Sequence, residues 1–202
     1  MVVSSDRPPK PNEKIPHKTF EIPYKPGFIE DLMIRPALEE NKYKIGWNLL
    51  QIQLVMCESL LNSSDTLREL KSFDMIVFGS IGPCDVLVSQ LLGIPSVTIV
   101  IGPPNQALSI YHMAPLPVSY VPIRETGFPS KMTFVRRVVN LGVYCVTRVI
   151  LDPFFVRSFD ALKAKFNIKP ERSFEEGLGD TVLVIFEADF ALEFPQPLLP
   201  GW

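Results

Sequence analysis

The chain has 202 residues, a formal net charge of −2 and a hydrophobic fraction of 47%. This length suits one domain with an additional tail, and the apolar content suffices to bury a sizeable core, which excludes wholesale disorder. The small net charge gives no electrostatic basis for a nucleic-acid-binding surface, so we expect no nucleic-acid partner.

The three cysteines, Cys57, Cys84 and Cys145, lie far apart and form no Cys-x-x-Cys or Cys/His cluster. We therefore expect no zinc site and no other metal site. Buried free thiols are the simpler interpretation. The cysteine pattern alone leaves the redox compartment open.

Residues 1–19 hold four prolines among charged residues, which predicts a flexible leader. This leader has no apolar core of the length that a signal peptide needs. The most apolar later stretch, Val138–Val156, is interrupted by Asn140, Arg148 and Asp152-Pro153. We therefore predict neither a signal peptide nor a transmembrane segment.

Helical periodicity dominates the segment after the leader. Thr19–Tyr24 predicts one short edge strand, and the apolar residues of Phe28–Leu61 recur at helical spacing. Asn62-Ser63-Ser64 then ends this helix and caps a shorter one. The triplet is also an N-glycosylation sequon, and we favour the cap unless the chain is lumenal. The expected buried stripe of the long helix consists of Ile45, Leu49, Ile52, Met56 and Leu60.

The segment Phe73–Ile101 predicts a strand, a helix and a second strand. Nearly continuous apolar runs at Met75–Phe78 and Val97–Ile101 are typical of strands buried on both faces. Gly82-Pro83 opens the intervening helix, and Gly93 closes it. Because so compact a unit implies a right-handed crossover, the pattern predicts an α/β fold with a parallel sheet flanked by helices.

A long proline-punctuated loop, Gly102–Ser130, follows the second strand, and a loop of this length in a compact domain is usually functional. A helix is predicted from Ser130 to about Phe166, with an interruption near Asp152-Pro153. Thr181–Phe186 predicts a last buried strand. The apolar stripe of the helix consists of Phe134, Val138, Leu141, Cys145 and Val149, for which core packing and contact with a bilayer surface are both possible interpretations.

The turn Phe78–Pro83 joins the carboxyl end of a strand to the start of a helix, which is where open α/β sheets bind ligands. It matches no phosphate-binding glycine motif. Asp85 is most simply explained as complementing the helix dipole. A nucleophile–base pair of His112 with Ser80 or Cys84 is conceivable but has no support from spacing. The residues thus predict a site location without catalytic machinery.

Four stretches together resemble the amino-terminal half of the UDP-glycosyltransferases, and specifically the animal UDP-glucuronosyltransferases. The residues of these stretches, their order and their spacing all match the family, over roughly Phe20–Pro200. The stretches are FDMIVFGSIGPCDVLVSQLLGIPSV, PLPVSYVP, KMTFVRRVVN and LEFPQPLLP.

The resemblance implies a GT-B glycosyltransferase, in which two Rossmann-like halves face a cleft. The amino-terminal half of such an enzyme binds a lipophilic acceptor, and the carboxy-terminal half binds the UDP-sugar that serves as co-substrate. In the family a histidine near the mature amino terminus takes the proton from the acceptor hydroxyl, and an aspartate orients that histidine. The sugar is then transferred with inversion.

This sequence departs from the family at both catalytic positions. Gly79 occupies the aspartate position, and the histidine belongs to a loop upstream of anything in this chain, so we expect no catalytic residue and no cofactor of the chain's own. We expect residues 20–200 to form an incomplete acceptor-binding domain without the UDP-sugar domain. The strand at Phe73–Phe78 would then be an exposed apolar edge, and the chain alone would be marginally stable and inactive as a transferase.

The resemblance places the acceptor pocket between the turn after Phe78 and the long loop. An alternative is that the aromatic residues of the long loop simply cover the sheet as part of the core. A second hypothesis is a non-catalytic partner that forms homo- or hetero-oligomers with full-length relatives. By resemblance the location is the endoplasmic reticulum membrane or lumen. The expected acceptor-binding residues, for small lipophilic hydroxyl compounds, are Gly79, Ser80, Tyr111, Met113, Tyr120 and Phe128.

Overall fold

The structure is a computed structural model that describes residues 2–4, 14, 16–25, 27–38, 42–79, 84–102, 109, 112, 114–123, 126–189 and 191–200. The chain forms two compact units. The first comprises Met1–Asp74 and Leu91–Ile94, and the second comprises Met75–Gln90 and Pro95–Trp202.

The first unit contains a two-stranded parallel sheet. Strand β1 (Val2–Ser4) pairs with strand β2 (Lys18–Phe20), and the Lys18 ammonium lies 3.2 Å from the Glu69 carboxylate. The short strand predicted at Thr19–Tyr24 is therefore present, slightly earlier in the chain. The predicted domain boundaries, 1–19 and 20–200, stay a prediction.

Three helices complete the first unit: α1 (Phe28–Leu38), α2 (Lys42–Asn62) and α3 (Ser64–Leu70). The Asn48 side chain is buried and donates a 2.9 Å hydrogen bond from Nδ2 to the Leu32 carbonyl, which ties α2 to α1. The predicted stripe of α2 is only partly right, because Leu49 is exposed. The buried apolar side chains of α2 are instead Leu50, Ile52, Cys57, Leu60 and Leu61.

A three-stranded parallel sheet forms the centre of the second unit. Its strands are β3 (Ile76–Gly79), β4 (Ser96–Ile101) and β5 (Leu183–Glu187), with β4 in the middle. The predicted α/β class and parallel sheet are confirmed. Strand β3 is an edge of this sheet, and Val77 on it is 54% exposed.

Helix α4 (Cys84–Leu92) connects β3 to β4, and Gly93, with φ of +70°, follows its end as the sequence predicts. Residues 85 to 90 of this helix are all buried. Asp85 and Ser89 are therefore buried together with the apolar residues of the helix, whereas Leu91 near its end is exposed. The predicted opening of the helix at Gly82-Pro83 lies outside the described residues.

The long helix of the second unit is continuous from Phe134 to Lys165. Helix α5 (Phe134–Val146) leads into a π-helical turn (Thr147–Leu151), and the turn leads into helix α6 (Asp152–Lys165). The predicted break near Asp152-Pro153 is wrong, because the helix continues through this position and only its winding changes, in the π-helical turn directly before the proline.

The π-helical turn aligns the buried sides of the two helices. Asn140 and Asp152 are both buried although twelve positions separate them, a spacing that places two residues about 120° apart on an unbroken α-helix. The wide turn accommodates one extra residue, which removes about 100° of this offset. Both polar side chains therefore lie on the side that packs against the protein.

The apolar stripe of this helix does not pack into a core. Of the described helices, Phe134–Lys165 alone is long and apolar enough to cross a membrane, and 11% of its most apolar 18-residue stretch is buried. The interpretation that this stripe packs into the core is therefore wrong. We define the outer face as ten apolar side chains that are 45% to 81% exposed: Phe134, Val135, Val138, Val139, Leu141, Val146, Val149, Ile150, Leu151 and Phe154.

Helix α7 (Phe174–Leu178) packs against α6 through aromatic rings. The rings of Phe159 and Phe174 are both fully buried and stack with centroids 5.0 Å apart. A capping box starts α7, since Ser173 Oγ accepts from the Glu176 amide and the Glu176 carboxylate accepts from the Ser173 amide. These contacts hold the segment that leads into β5.

The cysteines differ from the predicted free thiols. Cys57 and Cys84 are each disulfide-bonded, whereas Cys145 is a free, exposed thiol. The prediction of buried free thiols is thus only partly right, because Cys57 is buried but bonded, and Cys145 is free but exposed.

Candidate functional site at the carboxyl edge of the sheet

The carboxyl ends of the three parallel strands define the candidate site. Gly79 pairs with Ile99, which pairs with Ile185, and strands β4 and β5 continue two residues beyond that level to Ile101 and Glu187. Ile101 is 74% exposed. Open α/β sheets bind ligands at this edge, and here it presents both backbone and an uncovered apolar side chain.

Gly79 ends β3 and does not have a positive φ, so its backbone conformation does not require glycine. A Cβ atom built at this position has no heavy atom within 4 Å. The described structure therefore leaves room for a Cβ atom at this position.

The structure describes three of the six predicted acceptor-binding residues. Besides Gly79, these are Tyr120, which is 43% exposed, and Phe128, which is half-buried with the guanidinium carbon of Arg136 5.8 Å from its ring centroid. The predicted positions of Ser80, Tyr111 and Met113 lie outside the described residues. The acceptor-binding assignment as a whole stays a prediction.

Asn140 holds the loop that carries Tyr120. This side chain is fully buried and donates from Nδ2 to the carbonyls of Val118 (2.8 Å) and Val121 (3.0 Å). Its Oδ1 accepts from the Ile123 amide at 2.7 Å. Sequence reasoning missed this role; the available signal was an asparagine within an otherwise apolar helical segment.

Asp85 lies under the site in the first turn of α4. Its Oδ2 accepts a 2.5 Å hydrogen bond from Thr98 Oγ1 of β4, and its Oδ1 accepts from the Val86 amide at 2.8 Å. Burial raises the pKa of Asp85 to about 6, against the lowering effect of these hydrogen bonds. Asp85 is thus more than a partner of the helix dipole, since it couples α4 directly to the central strand.

The hypothetical nucleophile–base pair gains no support. Cys84 is disulfide-bonded and is therefore not available as a thiolate nucleophile. His112 is half-buried, and burial lowers the pKa of its imidazole.

A second polar cluster lies beside the π-helical turn. Arg148 forms a 2.7 Å ion pair with Glu175 and lies 3.8 Å from Asp152 Oδ2. Burial raises the pKa of Asp152, and the arginine partly opposes this effect. The cluster joins the turn to helix α7 and is not at the carboxyl edge.

A parallel α/β sheet flanked by helices defines the fold class of the second unit, and the comparisons with known proteins specify the family. The family model "UDP-glucoronosyl and UDP-glucosyl transferase" matches residues 31–202. The chain belongs to this family. The predicted family resemblance is confirmed, and the sheet is consistent with part of the Rossmann-like half of a GT-B enzyme.

Individual relatives agree with this assignment. The chain is similar to rat UDP-glucuronosyltransferase 1A5, with 28% identity over 91% of this chain and 37% of the relative. It is also similar to UDP-glucuronosyltransferase 3A1 of Xenopus laevis, with 31% identity over 72% of this chain and 28% of the relative. A mouse 2-hydroxyacylsphingosine 1-beta-galactosyltransferase shows 26% identity over 72% of this chain and 27% of the relative.

The chain therefore spans between about a quarter and two fifths of the length of these relatives. No solved structure matches the chain significantly.

Proposed function

We propose that the chain is the acceptor-binding part of a UDP-glycosyltransferase and binds small lipophilic hydroxyl compounds at the carboxyl edge of the β3–β4–β5 sheet. The family match over residues 31–202 is the observation that carries this proposal. Transfer of a hexose or glucuronate from a UDP-sugar takes place only in a complete family fold, for which the UDP-sugar is the co-substrate.

The geometry of the edge supports an apolar ligand. Exposed Ile101 offers an apolar wall, and the carboxyl ends of the strands offer backbone groups for a hydroxyl. Tyr120 lies between Val118 and Val121, whose carbonyls accept hydrogen bonds from Asn140, so the backbone that carries this exposed ring is held in place. A fixed backbone lowers the entropic cost of binding.

Position 79 has a glycine where the family has an aspartate, which supports the expectation that this chain alone is inactive as a transferase. Glycine cannot orient a catalytic base, and the histidine of the family matches no position of this sequence. We expect the purified chain to transfer no sugar from UDP-glucuronic acid or UDP-glucose to 1-naphthol. Product formation above the level of a heat-denatured sample would contradict this expectation.

Acceptor binding is tested by titrating the chain with 1-naphthol and following protein resonances by NMR. Tyr120→Ala should raise the dissociation constant about tenfold through loss of aromatic contact area. Phe73→Ala is the matched control, because this ring is also exposed and precedes β3, at the opposite end of the strand from the candidate site. Equal effects of the two substitutions, or no titratable shift at all, would contradict the proposed site.

The exposed edge of β3 favours a second candidate function, a non-catalytic partner of full-length relatives. An uncovered strand with exposed Val77 is a template for pairing with another chain. Mixed with a full-length relative, the chain should then co-elute in proportion to its concentration. Strictly monomeric elution of both proteins would exclude this role.

We further propose that the chain resides on the lumenal side of the endoplasmic reticulum. The disulfide-bonded state of Cys57 and Cys84 supports an oxidising compartment. The Asn62 sequon provides the test. Asn62 and Ser64 are exposed, and Ser63 Oγ donates to Thr66 Oγ1 at 2.8 Å instead of making a side-chain cap bond.

In secretory cells the chain should therefore carry one glycan that peptide N-glycosidase removes. Ser64→Ala should abolish the glycan, while Ser63→Ala should keep it because the triplet stays a sequon. A chain of unmodified mass from intact cells would contradict lumenal residence.

A further inference from the structure

Helix α4 covers one face of the β3–β4–β5 sheet. In a parallel sheet, residues that pair across neighbouring strands present their side chains to the same face. Thr98 and Val184 are such a pair, and both are buried, as is Val100 two positions further along β4. The Thr98 hydroxyl donates to Asp85 of α4, so this is the face against which the helix packs.

The opposite face is open at the carboxyl end of the sheet. It carries two successive register pairs of β4 and β5, Ile99 with Ile185 and Ile101 with Glu187. Ile99 is half-buried, Ile185 and Glu187 are exposed, and Ile101 is 74% exposed. We call these four residues the edge patch. It places three apolar side chains and one carboxylate side by side at the candidate site.

Regular backbone pairing holds the edge patch in place. The Gly102 amide donates to the Glu187 carbonyl at 3.2 Å, so the pairing of β4 with β5 continues to the last residues of both strands. Gly102 itself has a φ of +94°, a conformation that favours glycine, and β4 ends directly before it. The side chains of the patch therefore project from a strand ladder and not from a loop.

Glu187 is the carboxylate of this edge that is available to a ligand. Asp189 is engaged in its own turn, because its Oδ1 accepts from the Ala191 amide at 2.8 Å and its carbonyl accepts from the amides of Leu192 and Glu193. Within the part of the chain that the structure describes, no lysine or arginine pairs with the Glu187 carboxylate. A carboxylate beside three apolar side chains complements a ligand with an apolar body and a cationic end.

We propose that the edge patch selects lipophilic acceptors that carry an ammonium group, with the apolar body on the three isoleucines and the ammonium against Glu187. This proposal rests on the proposed acceptor binding and adds the charge of the ligand to it. A neutral compound of the same shape lacks the ion pair, and an anionic one is repelled by the carboxylate. Because Glu187 is exposed, the preference should be modest and should weaken with salt.

Three naphthalene compounds with the same ring and a different charge on one substituent test this selection: 1-naphthylmethylamine, 1-naphthalenemethanol and 1-naphthoate. NMR titration of the full chain gives the dissociation constant of each compound. At low salt the amine should bind about fivefold more tightly than the alcohol, which is the upper end for an exposed ion pair, and the naphthoate should bind more weakly than the alcohol. At about 0.5 M salt the amine and the alcohol should differ by less than about twofold.

Three substitutions locate the selection. Glu187→Gln should bring the amine and the alcohol to within about twofold of each other. Glu171→Gln is the matched control, because it also removes one negative charge from an exposed glutamate but lies outside the edge patch, and it should keep the preference. Ile101→Gln should weaken all three compounds by a similar factor, since the apolar body is common to them. All three side chains are exposed, so thermal unfolding should be unchanged.

The outcomes separate this selection from acceptor binding itself. Equal dissociation constants for the three compounds would overturn the selection and leave acceptor binding intact. A preference for the amine that Glu187→Gln and Glu171→Gln reduce equally would also overturn it, because net charge alone would then explain the preference. The absence of any shift with all three compounds would contradict acceptor binding, and the selection with it. Intermolecular nuclear Overhauser effects from the bound amine to the methyl groups of Ile101 and Ile185 should be present, and a bound amine without them would refute the assigned position.

Discussion

The buried Asp85 carboxyl should give the chain an unusual dependence of stability on pH. Burial raises its pKa from 3.8 to about 6 in the folded chain. Between these two values the folded state holds a proton that the unfolded state has released. The free energy of unfolding should therefore fall as the pH rises from 4 to 6, by about 3 kcal/mol for a shift of about two units.

Asp85→Asn isolates this effect, because asparagine has nearly the same shape and does not titrate. Urea denaturation of both proteins between pH 4 and pH 6.5, at constant ionic strength, gives the difference in their free energies of unfolding. That difference should shift in favour of the variant by about 3 kcal/mol across the interval. The contribution of Asp152, whose pKa is also raised by burial, cancels in the comparison.

Thr98→Val provides a second check, in which Asp85 still titrates but loses a hydrogen-bond donor. The Thr98 hydroxyl donates to Asp85 and lowers its pKa, so its removal should extend the falling limb to higher pH. Parallel pH profiles of the wild-type chain and Asp85→Asn would refute the reasoning, since they would show that Asp85 is ionised or solvated in the folded state.

Three further predictions concern packing and thiols. Asn140→Asp removes two donated hydrogen bonds and places a carboxylate against two carbonyls, so urea denaturation should show a loss of about 4 kcal/mol; a loss below about 1 kcal/mol would contradict the role of this side chain. Gly177→Ala brings a Cβ into steric conflict with Gln90 Nε2 and should cost about 2 kcal/mol, whereas Gly142→Ala, with nothing within 4 Å, should be neutral or stabilising. Thiol titration of the denatured, unreduced chain should detect Cys145 alone, and a count of three would contradict the disulfide-bonded state of the other two.

The central βαβ unit was predictable because its signals are local. Strands buried on both faces need continuous apolar runs, and Gly93 is the residue type that a left-handed helix end requires. The strand at Leu183–Glu187 follows by the same argument. The location of the candidate site at the end of β3 follows from the parallel arrangement alone.

The long helix was not predictable to the same degree. Periodicity shows which residues share a side of a helix, but it does not show what that side contacts. The stripe from Phe134 to Val149 was therefore compatible both with core packing and with contact with a bilayer surface, and only the structure shows that it does not pack into a core. In the sequence, Asn140 looks like a mere interruption of the apolar stripe. Its role is not visible there, because its hydrogen-bond partners are backbone groups of a loop about twenty residues away.

The π-helical turn at Thr147–Leu151 lets the long helix lose a residue more easily than it can gain one. The turn holds one residue more than ordinary winding would, so deletion of one residue there should restore α-helical winding and leave α6 in nearly the same orientation relative to α5. Insertion of one further residue should instead rotate α6 by about 100°, which would remove Asp152 from its buried position and the ring of Phe159 from that of Phe174. A single insertion should therefore destabilise the chain far more than a single deletion.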